Sequence, residues 1–145
     1  MLKVEHIGIA VRSLEASLPL FEKLLNAPCY KTELVETEQV NTAFFKQGDT
    51  KIELLESTGP DGVIARYIEK KGEGIHHIAF EVESAEEFVA LLEKAKAMDL
   101  RPRSDVPLDS DAGTSTFSMY GRAYRHFYVL DPSWVNVEVV WRTRL

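Results

Sequence analysis

Val4-Glu5-His6-Ile7-Gly8-Ile9-Ala10-Val11 returns later in the chain as Ile75-His76-His77-Ile78-Ala79-Phe80-Glu81-Val82. Both runs are apolar and rich in β-branched residues, the composition of a strand. A histidine stands third in each, at positions 6 and 77. Far downstream of each comes a second apolar run with one carboxylate inside it: Lys51-Ile52-Glu53-Leu54-Leu55, then Asn136-Val137-Glu138-Val139-Val140. A duplicated strand needs neither histidine nor glutamate in order to fold, so the repeat has to be read as chemistry as well as architecture.

The intervals between these runs complete the repeat. After the first, Ser13 is placed to cap a helix. Leu14, Leu18, Phe21, Leu24 and Leu25 recur at spacings of three and four, which predicts an amphipathic helix to Asn26, ended by Pro28. Strands are expected near 29–36 and 40–47, and again at 51–56 after a Gly48-Asp49 turn. The first module is therefore β-α-β-β-β. Thr58-Gly59-Pro60-Asp61-Gly62 breaks the pattern, and Val63, Ile64, Tyr67 and Ile68 predict a short linking helix. In the second module, Ser84 with Glu87 three residues on resembles a capping box. Phe88, Leu91, Leu92, Ala95 and Met98 carry that helix towards Pro102, and strands are expected near 115–120, 124–130 and 135–141. The whole reads as one domain, 1–145, made of module one (1–58), a linker helix (59–74) and module two (75–145). The second module carries 14 more residues between its histidine and its glutamate, placed by composition within 99–125.

Composition narrows the possibilities. The chain has 145 residues, 45% of them hydrophobic, a net charge of −6 and one cysteine, Cys29. It is long enough for one core. No run is apolar for long enough to span a bilayer, and no secretory signal is seen, so no membrane partner is expected and the location is read as cytoplasmic. The acidic balance argues against nucleic acid as a partner. Cys29 fits a reducing compartment and is read as a small buried residue.

Alternation sets the direction of each candidate. His6 shares a face with Gly8 and Ala10, His77 with Ala79 and Glu81, and Glu138 with Asn136 and Val140. These faces are small or polar, as a cavity wall would be. A carboxylate in an apolar strand is costly to bury unless paired or bound to a cation. Taken singly, each residue reads as an ordinary strand histidine or edge glutamate. In repeat register, His6, Glu53, His77 and Glu138 make a ligand set for one divalent ion such as Co, Zn, Ni or Mn, with iron also compatible. His76 points the other way and is read as packing. Glu5 and Glu81 are read as structural or solvated. His126 has no counterpart in module one and is read as structural or as a pocket residue.

With these residues in place the chain resembles a known group. Paired β-α-β-β-β modules with a His/Glu set look like the vicinal oxygen chelate (glyoxalase/bleomycin resistance/dioxygenase) superfamily. Gly72-Glu73-Gly74-Ile75-His76-His77-Ile78-Ala79-Phe80-Glu81-Val82, Val4–Val11, Gly48-Asp49-Thr50-Lys51-Ile52-Glu53-Leu54-Leu55-Glu56 and Ile64–Lys71 are very similar to methylmalonyl-CoA epimerases. The resemblance covers about 1–98. It implies an α+β fold in which two βαβββ modules form one open-barrel sheet, and His6, Glu53, His77 and Glu138 as metal ligands. It also implies a metal-dependent isomerase that epimerises methylmalonyl-CoA, or a related acyl-CoA, by α-proton abstraction through a stabilised enolate. Glu138 is the first candidate for a ligand that doubles as the base, with Glu53 the second. A homodimer is implied by the same analogy. Two departures stand out. Thr42 occupies the position where some epimerases carry a further acid/base glutamate, and Leu130-Asp131-Pro132-Ser133-Trp134 replaces their His-Pro-Lys-type turn. Arg101, Arg103, Arg122 and Arg125 are candidates for CoA phosphates, and Tyr120, Tyr124 and Trp134 for the pocket wall. The alternatives are a glyoxalase I-like lyase or another enzyme of the superfamily with a different carbonyl substrate, and a ligand-binding protein of the same fold without catalysis. A ring-cleaving dioxygenase would leave Glu53 unexplained.

Overall fold

The computed structural model describes residues 3–97, 115–119, 122–130 and 136–142. These divide into two compact units. One runs His6–His76, and the other takes the described residues on either side of it. Both combine helix with mixed sheet, so the class is α+β.

The first unit contains most of β1 (Lys3–Ala10), then α1 (Leu14–Leu25), β2 (Lys31–Val35), β3 (Val40–Gln47), β4 (Thr50–Ser57) and α2 (Val63–Lys71). Its strand order is β2-β3-β4-β1. β1 runs parallel to β4, and the other pairs are antiparallel. Ser13 caps α1 as expected: its side chain accepts a hydrogen bond from Ala16 N at 3.2 Å. Asn26 ends the helix in the left-handed region at φ 50°, a conformation asparagine tolerates better than most residues. Pro19 lies inside α1 and removes one backbone donor there. A 3-10 turn at Glu36–Glu38, closed by Gln39 at φ 53°, joins β2 to β3 and has no forerunner in the sequence pattern.

Period-two alternation sorts the strands onto two faces. On one, Ile9, Val11, Ala43, Phe45, Ile52 and Leu54 pack against Leu14, Leu18, Phe21 and Leu25 of α1. On the other, Ala10, Val40 and Leu55 pack against Ile64, Tyr67 and Ile68 of α2. The helix read from sequence as a linker is thus part of the first unit's core.

The second unit contains β5 (Gly74–Val82, from His77 on), α3 (Ala85–Ala97), β6 (Ser115–Met119), β7 (Arg122–Leu130) and β8 (Asn136–Arg142). Its strand order is β5-β8-β7-β6, with β5 parallel to β8. Ser84 Oγ accepts from Glu87 N at 3.1 Å, and Glu87 Oε2 accepts in return from Glu83 N at 3.2 Å, one residue earlier than the standard capping box. Phe88, Leu91 and Leu92 of α3 pack on Val82, Val137, Val139 and Trp141. No helix among the described residues is long and apolar enough to cross a membrane.

Candidate functional site

Each unit carries half of the candidate set, and the two halves are built alike. In the first, β1 and β4 pair so that Gly8, two residues beyond His6, lies level with Glu53. In the second, Ala79, two residues beyond His77, lies level with Glu138. Histidine and glutamate therefore stand on adjacent parallel strands, on one face, with the same offset in both units. In each case the long amphipathic helix, α1 or α3, packs on the opposite face. A glycine or an alanine beside the glutamate leaves space above the histidine's strand.

All four side chains are buried: His6 is 3% exposed, Glu53 1%, His77 7% and Glu138 2%. Burying a carboxylate costs several kcal/mol unless its charge is matched, and here the cost arises at two equivalent points. Within the first unit, His6 Nδ1 lies 3.1 Å from Glu53 Oε2. That is hydrogen-bond distance. It is also the spacing of neighbouring donors around a small divalent ion, since bonds of about 2.0–2.2 Å set adjacent ligands about 3 Å apart. The donor set is imidazole and carboxylate, which suits the borderline metals. The residues fit a metal.

The other candidates separate cleanly. His76, 4% exposed, packs its ring edge-on against Tyr67 at 5.0 Å, and the Tyr67 hydroxyl donates to Ile75 O at 2.8 Å. Glu81 lies 3.5 Å from Lys3 Nζ, a partly exposed ion pair, while Glu5 is 3% exposed and not solvated. Cys29 is half-buried, packs against the α1 core, and its thiol donates to Lys31 O at 3.3 Å. Tyr124, Arg122, Arg125 and His126 fall on β7. Arg101, Arg103, Tyr120 and Trp134 lie outside the described residues, as does the 131–134 turn.

Two residues gain meaning from register that spacing alone had hidden. His126 does have a counterpart. It pairs with Val140, two beyond Glu138, as Thr42 pairs with Leu55, two beyond Glu53. All but one of the 14 extra residues of the second module fall between His77 and His126, so counting from the histidine misses the equivalence. Glu33 of β2 pairs with Thr42 and therefore shares the His6–Glu53 face. An isolated glutamate on an alternating edge strand gives no signal in sequence.

The similarities to known proteins agree with this geometry. A model described as Glyoxalase/Bleomycin resistance protein/Dioxygenase superfamily matches residues 5–107. The chain is 42% identical over 80 residues to the uncharacterized protein YqjC of Bacillus subtilis (strain 168), a stretch covering 55% of this chain and 57% of that one. It is 33% identical over 99 residues to the mitochondrial methylmalonyl-CoA epimerase of Homo sapiens, covering 68% of this chain and 56% of the relative. The matches thus span less than two thirds of the length of these curated relatives. A solved methylmalonyl-CoA epimerase, in complex with methylmalonyl-CoA and NH4+, aligns with a TM-score of 0.73 at 26% identity, over 97% of this chain and 94% of that one. With a family model matched over most of its length and the histidine–glutamate strand pair built twice in the same register, the chain belongs to the glyoxalase/bleomycin resistance protein/dioxygenase superfamily.

Proposed function

We propose that this protein is a metal-dependent epimerase of methylmalonyl-CoA or a closely related acyl-CoA, and that His6, Glu53, His77 and Glu138 together hold one divalent ion. The observation that carries the reading is the repeated register: a buried histidine, a small residue two positions on, and a buried glutamate level with it, once in each unit. The similarity to methylmalonyl-CoA epimerases supports the substrate class.

A bound divalent ion would supply Lewis-acid stabilisation of the negative charge that develops on the thioester oxygen. The protein's own residues do the rest. In this reading Glu53, 3.1 Å from His6, serves as a ligand and is the second candidate for a base. Glu138 is the candidate for the carboxylate that removes the α-proton, a step needing a base within hydrogen-bond reach of the carbon. The buried face excludes water, which strengthens every charge interaction within it.

The test is proton exchange. Metal-loaded protein in deuterated water is incubated with methylmalonyl-CoA and other branched acyl-CoA thioesters, and NMR follows the α-carbon. Deuterium is expected at that carbon, with scrambling of configuration. No exchange with any member of the panel would sink the reading. Turnover of the hemithioacetal of glutathione and methylglyoxal in its place would point to a glyoxalase I-like lyase.

A further inference from the structure

The first unit's sheet ends at β2, which pairs with β3 on one side and, among the described residues, with no strand on the other. A bare edge leaves a row of backbone donors and acceptors open to another strand. Thr32 and Leu34 pair with Ala43 and Asn41 and so stand on the α1 face of the sheet, while Lys31 and Glu33 pair with Phe44 and Thr42 and stand on the other. Lysine and proline are common guards of such an edge. Here the lysine is matched two residues on by a glutamate, so the guard cancels against a copy of itself read in reverse.

Apolar surface gathers at the same place. Among the described residues, four of the six exposed large hydrophobic side chains fall between positions 20 and 34: Leu20, Leu24, Tyr30 and Leu34. Leu20 and Leu24 belong to α1, the helix packed on the face that carries Thr32 and Leu34. The charges of the edge are not satisfied within one copy. Lys31 Nζ is 3.7 Å from Glu33 Oε1, beyond hydrogen-bond length, and Glu33 Oε2 accepts no hydrogen bond among the described residues. The carboxylate is short of donors in the single chain.

We propose that β2 is a dimerisation edge whose partner is β2 of a second copy of this chain, paired antiparallel about a two-fold axis at Thr32. Opposite residues of an antiparallel pair share a face, so an axis normal to the sheet has to fall on a residue. On Lys31 or on Glu33 it would set like charges against each other. On Leu34 it would leave both charges without an opposite sign. On Thr32 it sets Lys31 of each copy opposite Glu33 of the other, two matched pairs, and brings Tyr30 level with Leu34 across the same axis. A rotation of the Glu33 side chain then gives its carboxylate a donor from the second copy. The two four-stranded sheets become one, in the order β1-β4-β3-β2-β2-β3-β4-β1. A five-residue strand is short for a permanent interface, so the dimer forms and dissociates with concentration. It asks nothing of the metal or of the substrate.

Sedimentation of the full chain at concentrations up to about 200 µM is expected to show a monomer–dimer equilibrium. Lys31→Glu and Glu33→Lys each turn both matched pairs into like-charge pairs, and each should weaken dimerisation by at least about tenfold. Mixed one to one, the two variants should associate with each other about as strongly as wild type does with itself, because every charge again meets its opposite across the axis. Melting temperatures close to that of wild type establish that both variants fold. Should either fail to fold, the double variant Lys31→Glu/Glu33→Lys decides, since it exchanges the charges and keeps the match: dimerisation at wild-type strength supports the proposal and its loss overturns it. A wild-type chain that stays monomeric would overturn it too. So would single variants that dimerise undiminished, or a mixture of folded variants that remains monomeric.

Discussion

Glu53 has almost no contact with solvent, so its carboxylate carries a desolvation penalty. It is 1% exposed, level with Phe44 and flanked in its strand by Ile52 and Leu54. A charge in such a place carries a desolvation penalty that its pairing with His6 or a bound cation would offset. Two outcomes separate the metal reading from a structural one. If Glu53 only pairs with His6, Glu53→Leu leaves an imidazole without its carboxylate and costs about 1–3 kcal/mol, with nothing else changed. If Glu53 is a ligand, the same substitution also weakens retention of Co(II) or Zn(II) by about 100-fold or more, read by metal analysis after dialysis. We expect the second result. The four candidate ligands were legible in the sequence for this same reason: histidine and glutamate are expensive in apolar strands, and the repeat showed the expense incurred twice. That Glu33 shares the face of His6 and Glu53 was not legible, because only its pairing with Thr42 shows which face of the sheet it is on.

At the scale of elements, the segments that announced themselves were those with local chemistry at their ends. Ser13 and Asn26 bracket α1, Ser84 opens α3, and Gly48 at φ 61° turns β3 into β4. The 3-10 turn at Glu36–Glu38 was invisible because its residues carry no turn signal; it exists because β2 and β3 must pair in one register. Beside it lies a tight approach. A methyl group added to Gly62, which caps α2, would fall 2.8 Å from Ser57 Oγ and 3.3 Å from Gln39 O. Ser57 can rotate away, but a backbone carbonyl cannot, so β4, the turn at Gln39 and the start of α2 are locked together. Gly62→Ala is expected to cost about 1–3 kcal/mol, measured as a lower urea midpoint with an unchanged slope. The hydrogen bond between Thr58 N and Gln39 O belongs to the same corner and would weaken with it. α2 packs through Ala10, Val40 and Leu55 on the sheet face that also carries His6 and Glu53, so this corner fixes the helix on that face.

On the scale of the whole molecule, the two units repeat one design with different consequences. Each offers a histidine and a glutamate on adjacent parallel strands, a donor pair too small to complete a coordination sphere of four. If the proposed site is right, neither half holds an ion firmly, and the metal couples the stability of one unit to that of the other. Metal present at a hundredfold excess over its dissociation constant should stabilise the folded chain by about 2.7 kcal/mol. The coupling gives the effect a signature. His6→Ala from the first unit and His77→Ala from the second should each abolish the metal-induced rise in melting temperature, although each leaves one histidine–glutamate pair intact. Were each unit to bind its own ion, either variant would keep about half of the rise. Calorimetry of the two variants with and without added Co(II) distinguishes one shared ion from two separate ones, and a rise that survives in either variant would refute the shared site.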